Sequence, residues 1–515
     1  MSIPTFSKHT WRNPCAVLML LALSAFIAVP QPVSRSPIKA QSLLVEMASA
    51  QPNSTISIIV QKTVNDASVE NLVATFGGKI TADLSIINGF AAEMQAKDVP
   101  MLAQANGVRW ISLDAPVKQT DCSDCTTTGL LANTYIKAIR ADQAWLKKLQ
   151  GQGIGVAVVD SGVNWQTDLY SIMGVNRVVA NVQYNTGYNT TTFDNYGHGS
   201  HVAGVVGGNG RMSNGMYIGV APQSNIINVK VSDDLNDGAG TAKTVVQGLQ
   251  WILQNKNTFN IRVVNISINS AVAESYHTNP IDAACEILWF NGIVVVVSAG
   301  NSGSGTIYPP ANDPFVITVG ATDDKATASL SDDVMASFSA YGTTSDGFAK
   351  PDLVAPGKNI VSLMGNTSGS LPTDHPANVV QVNGSPVYFR MSGTSTSAPM
   401  VAAAVAQLLQ ANPNLNPDQV KYRLKATANK SWTGYSAAKA GGGYLDIYAA
   451  VTSNTTATAN TGLAISKLLF TGSNPANGGS ASWGSASWGS ASWGSASWGS
   501  ASWGSASWGS DYWGP

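Results

Sequence analysis

Uninterrupted runs of Val and Ile, separated from one another by helical patterns, constrain the fold of residues 130–452 more than any other feature. The runs GIGVAVVD, NIINVKV, IRVVNISI and IVVVVSAG lack the alternation of a half-exposed strand, whereas AKTVVQGLQWILQN and IDAACEILWFNG have helical spacing. Strands that are apolar on both sides belong to parallel sheets with helices on both faces. The sequence therefore predicts a doubly wound α/β domain, whose ligands bind at the carboxyl ends of the strands.

A smaller unit with a different pattern precedes this domain at residues 54–114. The strand-like stretches STISIIVQKT, INGFAAEM and VRWISLD alternate with the helix-like stretches VENLVATFGG and VPMLAQANG. This order predicts a small open α+β module, followed by a short loop that contains CSDC.

Residues 1–40 have the pattern of an export signal. Lys8 and Arg12 precede the apolar run CAVLMLLALSAFIAVP, and small residues follow it, so cleavage is expected near Ala40. The run is short for a membrane span, and an uncleaved anchor is the alternative. We therefore expect a secreted, extracellular protein, with attachment to the cell surface left open.

The end of the chain is a repeat. From residue 481 the pentad ASWGS occurs six times before the closing DYWGP, and residues 453–480 are expected to be a linker to this 481–515 tail. Gly/Ser-rich sequences of this kind are usually flexible extensions. Regularly spaced Trp side chains can also bind sugar rings or one another. A cell surface, a polysaccharide and a second copy of the tail therefore all stay open as its contacts.

Charge and cysteine content narrow the classes of function. Charged residues make up 11% of the chain and the formal net charge is -1, so no basic surface favours nucleic acid as a partner. Cys122 and Cys125 form a single C-x-x-C, which is weak evidence for zinc and, in an exported chain, favours a local disulfide or free thiols. Cys285 lies in a helical pattern and is expected to be a small buried residue.

The stretch MSGTSTSAPM, residues 391–400, presents several hydroxyl groups directly before an apolar helical run. They include Ser392, Thr394, Ser395 and Ser397. Ser and Thr in this position are ordinary helix caps. A hydroxyl becomes a nucleophile only where a base, an orienting carboxylate and an oxyanion donor lie close to it. Spacing alone does not single out one hydroxyl.

Polar residues that could supply these groups stand at the ends of predicted strands and helices. Asp160 ends the strand VAVVD, His198 and His201 begin a helix in HGSHVAG, and Asn301 follows IVVVVSAG. Each also has an ordinary interpretation as a loop or turn residue. The order Asp, His, Ser is one of three known for serine triads, whereas an esterase or lipase has G-x-S-x-G and the order Ser, Asp, His. The sequence favours the first.

Together these stretches resemble the subtilisin-like serine proteases, the subtilases of peptidase family S8. The matching pieces are VAVVDSGV, HGSHVAG, SAGN and SGTSTSAP, with GVAP, YPP and KPDLVAPG in the family's order. The resemblance implies a mainly parallel sheet of subtilisin type and a secreted serine endopeptidase acting on proteins or peptides. It assigns the catalytic roles to Asp160, His198 and Ser395, and the oxyanion role to Asn301.

Residues 54–114 resemble the inhibitor I9-type propeptide of that family, with INGFAAEM and GVRWISLD as the matching pieces. The resemblance implies a zymogen that is blocked by its own propeptide and cleaves itself between Asp114 and Thr128.

Two further segments resemble those between which a subtilase substrate lies as an added strand. They are Gly238, Ala239 and Gly240 on one side, and Ser267, Ile268 and Asn269 on the other. The family commonly has Gly where Asn269 stands, so a side chain there is expected to narrow or reshape the first specificity pocket.

The resemblance implies no cofactor for the chemistry itself. Many relatives hold structural calcium with Asp, Asn and carbonyl oxygens, and residues 207–222 and 232–238 lie where such loops occur, but neither has a clear ligand pattern. Structural calcium is therefore left open, and metal ligands stay unassigned.

A binding or surface-assembly protein is the main alternative to an enzyme, with the Trp repeat as its functional part. Deletion of residues 479–515 separates the two, because a protease keeps peptide hydrolysis without the tail.

Overall fold

The computed structural model describes residues 38–119, 133–171, 173–185, 191–234 and 238–469. The apolar run of the predicted export signal, the C-x-x-C and the pentad tail lie outside these residues. In the described ranges, no helix combines the length and the apolarity that crossing a bilayer requires.

The N-terminal part of the described chain is an antiparallel sheet with its own apolar core. Its strands are β1 (Thr55–Lys62), β2 (Lys79–Leu84), β3 (Gly89–Gln95) and β4 (Val108–Leu113), and its helices are α1 (Ser42–Ala50), α2 (Ser68–Thr75) and α3 (Val99–Gln104). The strand order is β2-β3-β1-β4. Ile58, Val60 and Phe90 belong to a core that is separate from the main one. The strands and helices predicted for residues 54–114 are all present, and α1 and β2 are additional.

This unit begins earlier than the predicted residue 54. Ala40 forms a parallel bridge with Ile111, and Leu44 of α1 is fully buried in the same core. Residues 39–50 therefore belong to the folded unit, which moves its start to the end of the predicted signal.

The strands of the remaining chain include long buried ones and short surface ones. They are β5 (Pro116–Gln119), β6 (Gly155–Asp160), β7 (Val178–Gln183), β8 (Asn225–Lys230), β9 (Gly240–Thr241), β10 (Ile261–Ile266), β11 (Ile268–Ser270), β12 (Val294–Ser298), β13 (Ile317–Asp323), β14 (Val334–Met335), β15 (Gly342–Thr343), β16 (Ala349–Lys350), β17 (Leu353–Pro356), β18 (Ile360–Leu363), β19 (Val379–Val382) and β20 (Ser385–Met391).

The main sheet has the order β14-β13-β12-β10-β6-β8-β7, with β17 also paired to β13. The pairs from β7 to β13, and β13 with β17, are parallel, and only β14 runs antiparallel. Val156, Val158 and Val159 are all fully buried. Because consecutive strand residues face opposite sides, this burial shows that both faces of the sheet are covered. The doubly wound α/β fold predicted from the Val and Ile runs is thus confirmed.

The helices of this unit lie on the main sheet or join its strands. They are α4 (Tyr135–Ala138), α5 (Ala141–Leu146), α6 (His198–Gly207), α7 (Ala242–Asn255), α8 (Pro280–Phe290), α9 (Ser370–Asp374), α10 (Thr394–Ala411), α11 (Pro417–Thr427), α12 (Ala437–Ala440) and α13 (Ile447–Thr452). Helix α10 packs on β10, β12 and α6, and α7 packs against α8. Cys285 of α8 is a buried free thiol, as predicted for a small core residue.

A small three-stranded sheet with the order β11-β5-β9 connects the two parts of the chain. Both pairs are antiparallel, so β5 lies between β9 and β11 as a central strand.

Residues 453–469, predicted as part of a linker, pack against the large unit. Ile465 and Leu468 are buried in the main core, and the Ser466 backbone N–H donates to the carboxylate of Glu286 at 2.8 Å. The packed domain therefore extends at least to Leu469.

Candidate active site

A buried Asp–His pair lies at the carboxyl end of the central strand β6. Asp160 is the last residue of β6, and His198 is the first residue of α6. His198 Nδ1 lies 2.8 Å from Asp160 Oδ1, and both side chains are fully buried. An ionised carboxylate only accepts hydrogen bonds, so Nδ1 carries the proton and Nε2 is the basic nitrogen of the ring.

Close approach of α6 to the end of β6 makes this pair possible. A Cβ on Gly199 would overlap the carbonyl oxygen of Gly162 and would lie 3.1 Å from the Cβ of Asp160. Glycine is therefore required directly after His198, which explains the His-Gly of HGSHVAG.

Asp194, which no sequence pattern singles out, holds the first turn of α6. Its carboxylate accepts from the backbone N–H groups of Gly197 and Ser200, each at 2.7 Å, and from Ser161 Oγ at 2.9 Å. The side chain is fully buried, and burial raises the pKa of Asp194. Asp194 stands three residues before the N-cap Gly197, outside the usual capping position, so no local sequence signal marks it.

The structure separates the two histidines that spacing leaves equivalent. His201 is fully buried, and its Nε2–H donates to the Ile360 carbonyl at 3.1 Å. Burial lowers the pKa of His201 to about 3, so this ring is neutral at ordinary pH. Only His198 is bonded to Asp160, and the contacts of His201 are those of a structural residue.

Four of the five hydroxyl groups in MSGTSTSAPM have structural hydrogen bonds. Thr396 Oγ1 donates to the Gly393 carbonyl at 2.8 Å. Ser392 Oγ accepts from the Asn359 N–H at 2.9 Å, Ser397 Oγ donates to the carbonyls of Ala355 and Pro356, and Thr394 Oγ1 donates to Asn301. Ser395 Oγ is buried and has no hydrogen-bond partner within the described residues. The geometry therefore leaves Ser395 as the hydroxyl available for chemistry.

The turn that carries Ser395 is tied to a neighbouring chain segment. Pro399 lies inside α10, and proline has no N–H to donate to the carbonyl four residues earlier, which is that of Ser395. Ser267 Oγ donates to this carbonyl instead, at 3.1 Å. The substrate-binding candidate Ser267 and the nucleophile candidate Ser395 are thus brought together.

Asn301 is held by its side-chain oxygen. Thr394 donates to Asn301 Oδ1 through both its backbone N–H and its hydroxyl, each at 3.0 Å. The same hydroxyl accepts from the Gly300 N–H at 3.0 Å. An amide donates only through its nitrogen, so Nδ2 is the atom of Asn301 that can donate toward a developing oxyanion. Thr394, considered from the sequence only as another hydroxyl, is therefore a positioning residue for Asn301.

The two predicted substrate-binding segments lie on either side of β5. On one side Gly240 pairs with Val117, and on the other Ile268, Asn269 and Ser270 pair with Gln119, Lys118 and Val117. Gly238 and Ala239 precede β9, and a Cβ on Gly238 would lie 2.9 Å from Gln119 Cγ. The groove that an added strand would fill is thus occupied by the chain itself.

The Gly207 carbonyl of the first candidate calcium loop and the neighbouring Asp168 carboxylate accept hydrogen bonds. Asp168 Oδ1 accepts from the Met212 N–H at 2.7 Å, and Oδ2 accepts from the Tyr388 hydroxyl at 2.6 Å. The buried guanidinium of Arg177 donates to the carbonyls of Asp168 and Gly207. Residues 235–237 of the second loop lie outside the described residues, and no group of three or more His, Cys, Asp or Glu side chains suits a metal in the described ranges.

Comparison with known proteins assigns a family to this chain. The sequence model of the subtilase family, peptidase S8, matches residues 151–448. Serine protease AprX of Bacillus subtilis is 37% identical over 361 residues, which are 68% of this chain and 76% of that protein. An alkaline protease of Alkalihalobacillus alcalophilus is 28% identical over 376 residues, 72% of this chain and 83% of that protein.

A solved structure shares the fold. The crystal structure of fervidolysin from Fervidobacterium pennivorans, described as a keratinolytic enzyme related to subtilisin, matches with a TM-score of 0.60 at 27% identity. The match covers 78% of this chain and 62% of fervidolysin, less than two thirds of that protein. The family model matches more than half of the chain, and the parallel sheet is the one the family resemblance implies. This chain therefore belongs to the subtilase family, peptidase S8, and is a serine endopeptidase.

Proposed function

We propose that the endopeptidase works through Asp160, His198 and Ser395, and that it is made as a secreted zymogen blocked by its own N-terminal unit. The catalytic part rests on the 2.8 Å bond between Asp160 and His198 at the carboxyl end of β6. Within residues 391–400, the Ser395 hydroxyl is the one that has no hydrogen-bond partner in the described residues.

In this mechanism Ser395 Oγ attacks the carbonyl carbon of the scissile bond while its proton moves to His198 Nε2. Asp160 keeps Nδ1 protonated and stabilises the imidazolium that forms. The oxyanion is bound by Asn301 Nδ2 and by the Ser395 N–H at the start of α10. His198 then protonates the leaving amine, and water attacks the acyl-enzyme by the same route in reverse.

The inhibitory role of the N-terminal unit is supported by its contacts with the large unit. Asp114 Oδ1 accepts from the Lys243 N–H in the first turn of α7 at 2.7 Å, and Gln250 Oε1 accepts from the Ile86 N–H at 2.9 Å. The strand β5 continues from these contacts into the groove beside Ser267. A substrate cannot pair with β9 and β11 while β5 does, so the unit blocks the groove until it is released.

We place the self-cleavage after β5, within residues 120–128, which narrows the window predicted from the sequence. Residues up to Gln119 are bound in the groove. Gln119 pairs with Ile268, and Ser267, directly before Ile268, donates to the Ser395 carbonyl, so the position after Gln119 lies beside the nucleophile. We also propose that the export signal ends before Lys39, because the Lys39 carbonyl accepts from the Ile111 N–H at 3.0 Å.

The test is the fate of residues 39–515 produced as wild type, as Ser395→Ala and as Ser397→Ala. Ser397 is a matched control, since it lies two residues further along α10 and its hydroxyl bonds only carbonyls. We expect wild type and Ser397→Ala to lose a fragment ending between residues 120 and 128, and Ser395→Ala to stay intact by mass. Full-length wild type over a range of pH, or processing of Ser395→Ala at the same rate in isolation, would overturn the proposal.

A further inference from the structure

The side chain of Asn269 lies near the nucleophile, where the family resemblance places the first specificity pocket. Its Nδ2 donates to the Ser298 carbonyl at 3.1 Å, and its Oδ1 lies 3.5 Å from the position that a Cβ on Gly300 would take. The residue is 8% exposed. The Asn269 side chain thus bridges β11 and the segment that leads from β12 to Asn301.

The register of β5 and β11 shows which substrate residue meets this side chain. Gln119 pairs with Ile268, so the next position of an extended peptide lies opposite Ser267, whose hydroxyl donates to the Ser395 carbonyl. Residues opposite one another, or two apart on one strand, share a face of the pair. The side chain at that position, directly before the scissile bond, therefore faces the same side as Asn269.

Asn269 changes both the size and the polarity of this pocket. Its amide takes space that a glycine would leave open, which disfavours large rings. Its Oδ1 is buried without a hydrogen-bond partner in the described part of the chain. A buried acceptor favours a ligand that brings a donor and disfavours one that leaves it unpaired.

We propose that Asn269 makes this subtilase select a small side chain with a hydroxyl group, Ser or Thr, directly before the scissile bond. The proposal rests on the proposed function, because it takes Ser395 as the nucleophile. The sequence is consistent with it, since the residue that follows β5 is Thr120.

The experiment compares peptides succinyl-Val-Lys-Gln-Xaa-p-nitroanilide, in which Xaa is Thr, Ser, Phe or Leu and the first three residues copy β5. Processed wild type and Asn269→Gly are compared, each quantified by covalent titration with a fluorophosphonate. We expect kcat/KM of wild type to be about tenfold or more higher for Thr and Ser than for Phe and Leu, and Asn269→Gly to reverse that order. For Asn269→Ala, which keeps a Cβ, the ratio of kcat/KM for Thr to that for Phe should lie between the ratios of wild type and Asn269→Gly.

Ser270→Gly is the control, because its side chain lies on the other face of β11 and the ratio of Thr to Phe should not change. Wild type that prefers Phe or Leu, or the same Thr-to-Phe ratio in wild type, Asn269→Gly and Asn269→Ala, overturns the assignment of Asn269. Failure of wild type to react with the fluorophosphonate is a different result, since it contradicts the proposed nucleophile itself. A folded, labelled Asn269→Ala keeps the proposal testable if the glycine variant does not fold.

Discussion

Replacement of Thr394 by Val tests whether Thr394 positions Asn301, the proposed oxyanion donor. Valine has nearly the shape of threonine, but it removes the bond from Thr394 Oγ1 to Asn301 Oδ1 and the bond from the Gly300 N–H to the same hydroxyl, both 3.0 Å. The Thr394 N–H still donates to Asn301 Oδ1, also at 3.0 Å. The side chain of Asn301 therefore keeps one of its two hydrogen bonds to Thr394 and is positioned less firmly.

The expected fall in kcat of Thr394→Val lies between two limits. Loss of one hydrogen bond costs about 0.5–1.5 kcal/mol, and full loss of an oxyanion donor lowers kcat by about 10²–10³, a value measured on a subtilisin. Loss of one of the two bonds to Asn301 Oδ1 gives a fall in kcat of about tenfold, or about 1.4 kcal/mol, with KM little changed. Thr394→Ser keeps the hydroxyl and should restore most of the rate.

Steady-state kinetics on wild type, the single variants Thr394→Val and Asn301→Ala, and the double variant provide the decisive assay. If Thr394 acts through Asn301, the valine substitution has almost no further effect once Asn301 is Ala. Equal losses in the presence and absence of Asn301, or full activity of Thr394→Val, would refute the positioning role.

Three further expectations follow from other parts of the site and core. Asp160→Asn should lower kcat by about 10⁴, because an amide stabilises the wrong tautomer of His198, and a loss under tenfold in kinetics of the processed enzyme would contradict this. Asp194→Ala should lower the melting temperature and kcat together, since two N–H groups at the start of α6 lose their acceptor, whereas unchanged melting and rate would show that α6 does not need it. Burial raises the pKa of Asp313 from 3.8 to about 7, so its contribution to stability is complete below pH 3.8 and is lost as pH rises through about 7. In the Ser395→Ala background, Asp313→Asn should therefore flatten the fall in melting temperature between pH 5 and 8, and parallel curves would count against this assignment.

The residues of the predicted site that could be found from the sequence share one property. Asp160, His198 and Asn301 stand where a strongly patterned strand ends or a helix begins, and parallel strands bring their carboxyl ends to one edge. The Val and Ile runs were therefore enough to predict the sheet and the neighbourhood of these side chains.

Other features depend on contacts between residues far apart in the chain. The segment PVKQ has no strand pattern, and β5 is extended because β9 and β11 supply its hydrogen bonds. Thr394 and Asn301 are 93 positions apart, so no local signal reveals their bond. The same holds for residues 453–469, whose polar composition suggests a linker although Ile465 and Leu468 complete the core.

The most direct test of the catalytic assignment is the position of a fluorophosphonate adduct in the processed enzyme, read by tandem mass spectrometry of the peptide that contains residues 391–400. We expect a single adduct on Ser395, formed at a rate that falls strongly in Asp160→Asn. An adduct on Ser392 or Ser397, or active enzyme that hydrolyses peptides without any adduct in this stretch, would contradict the account.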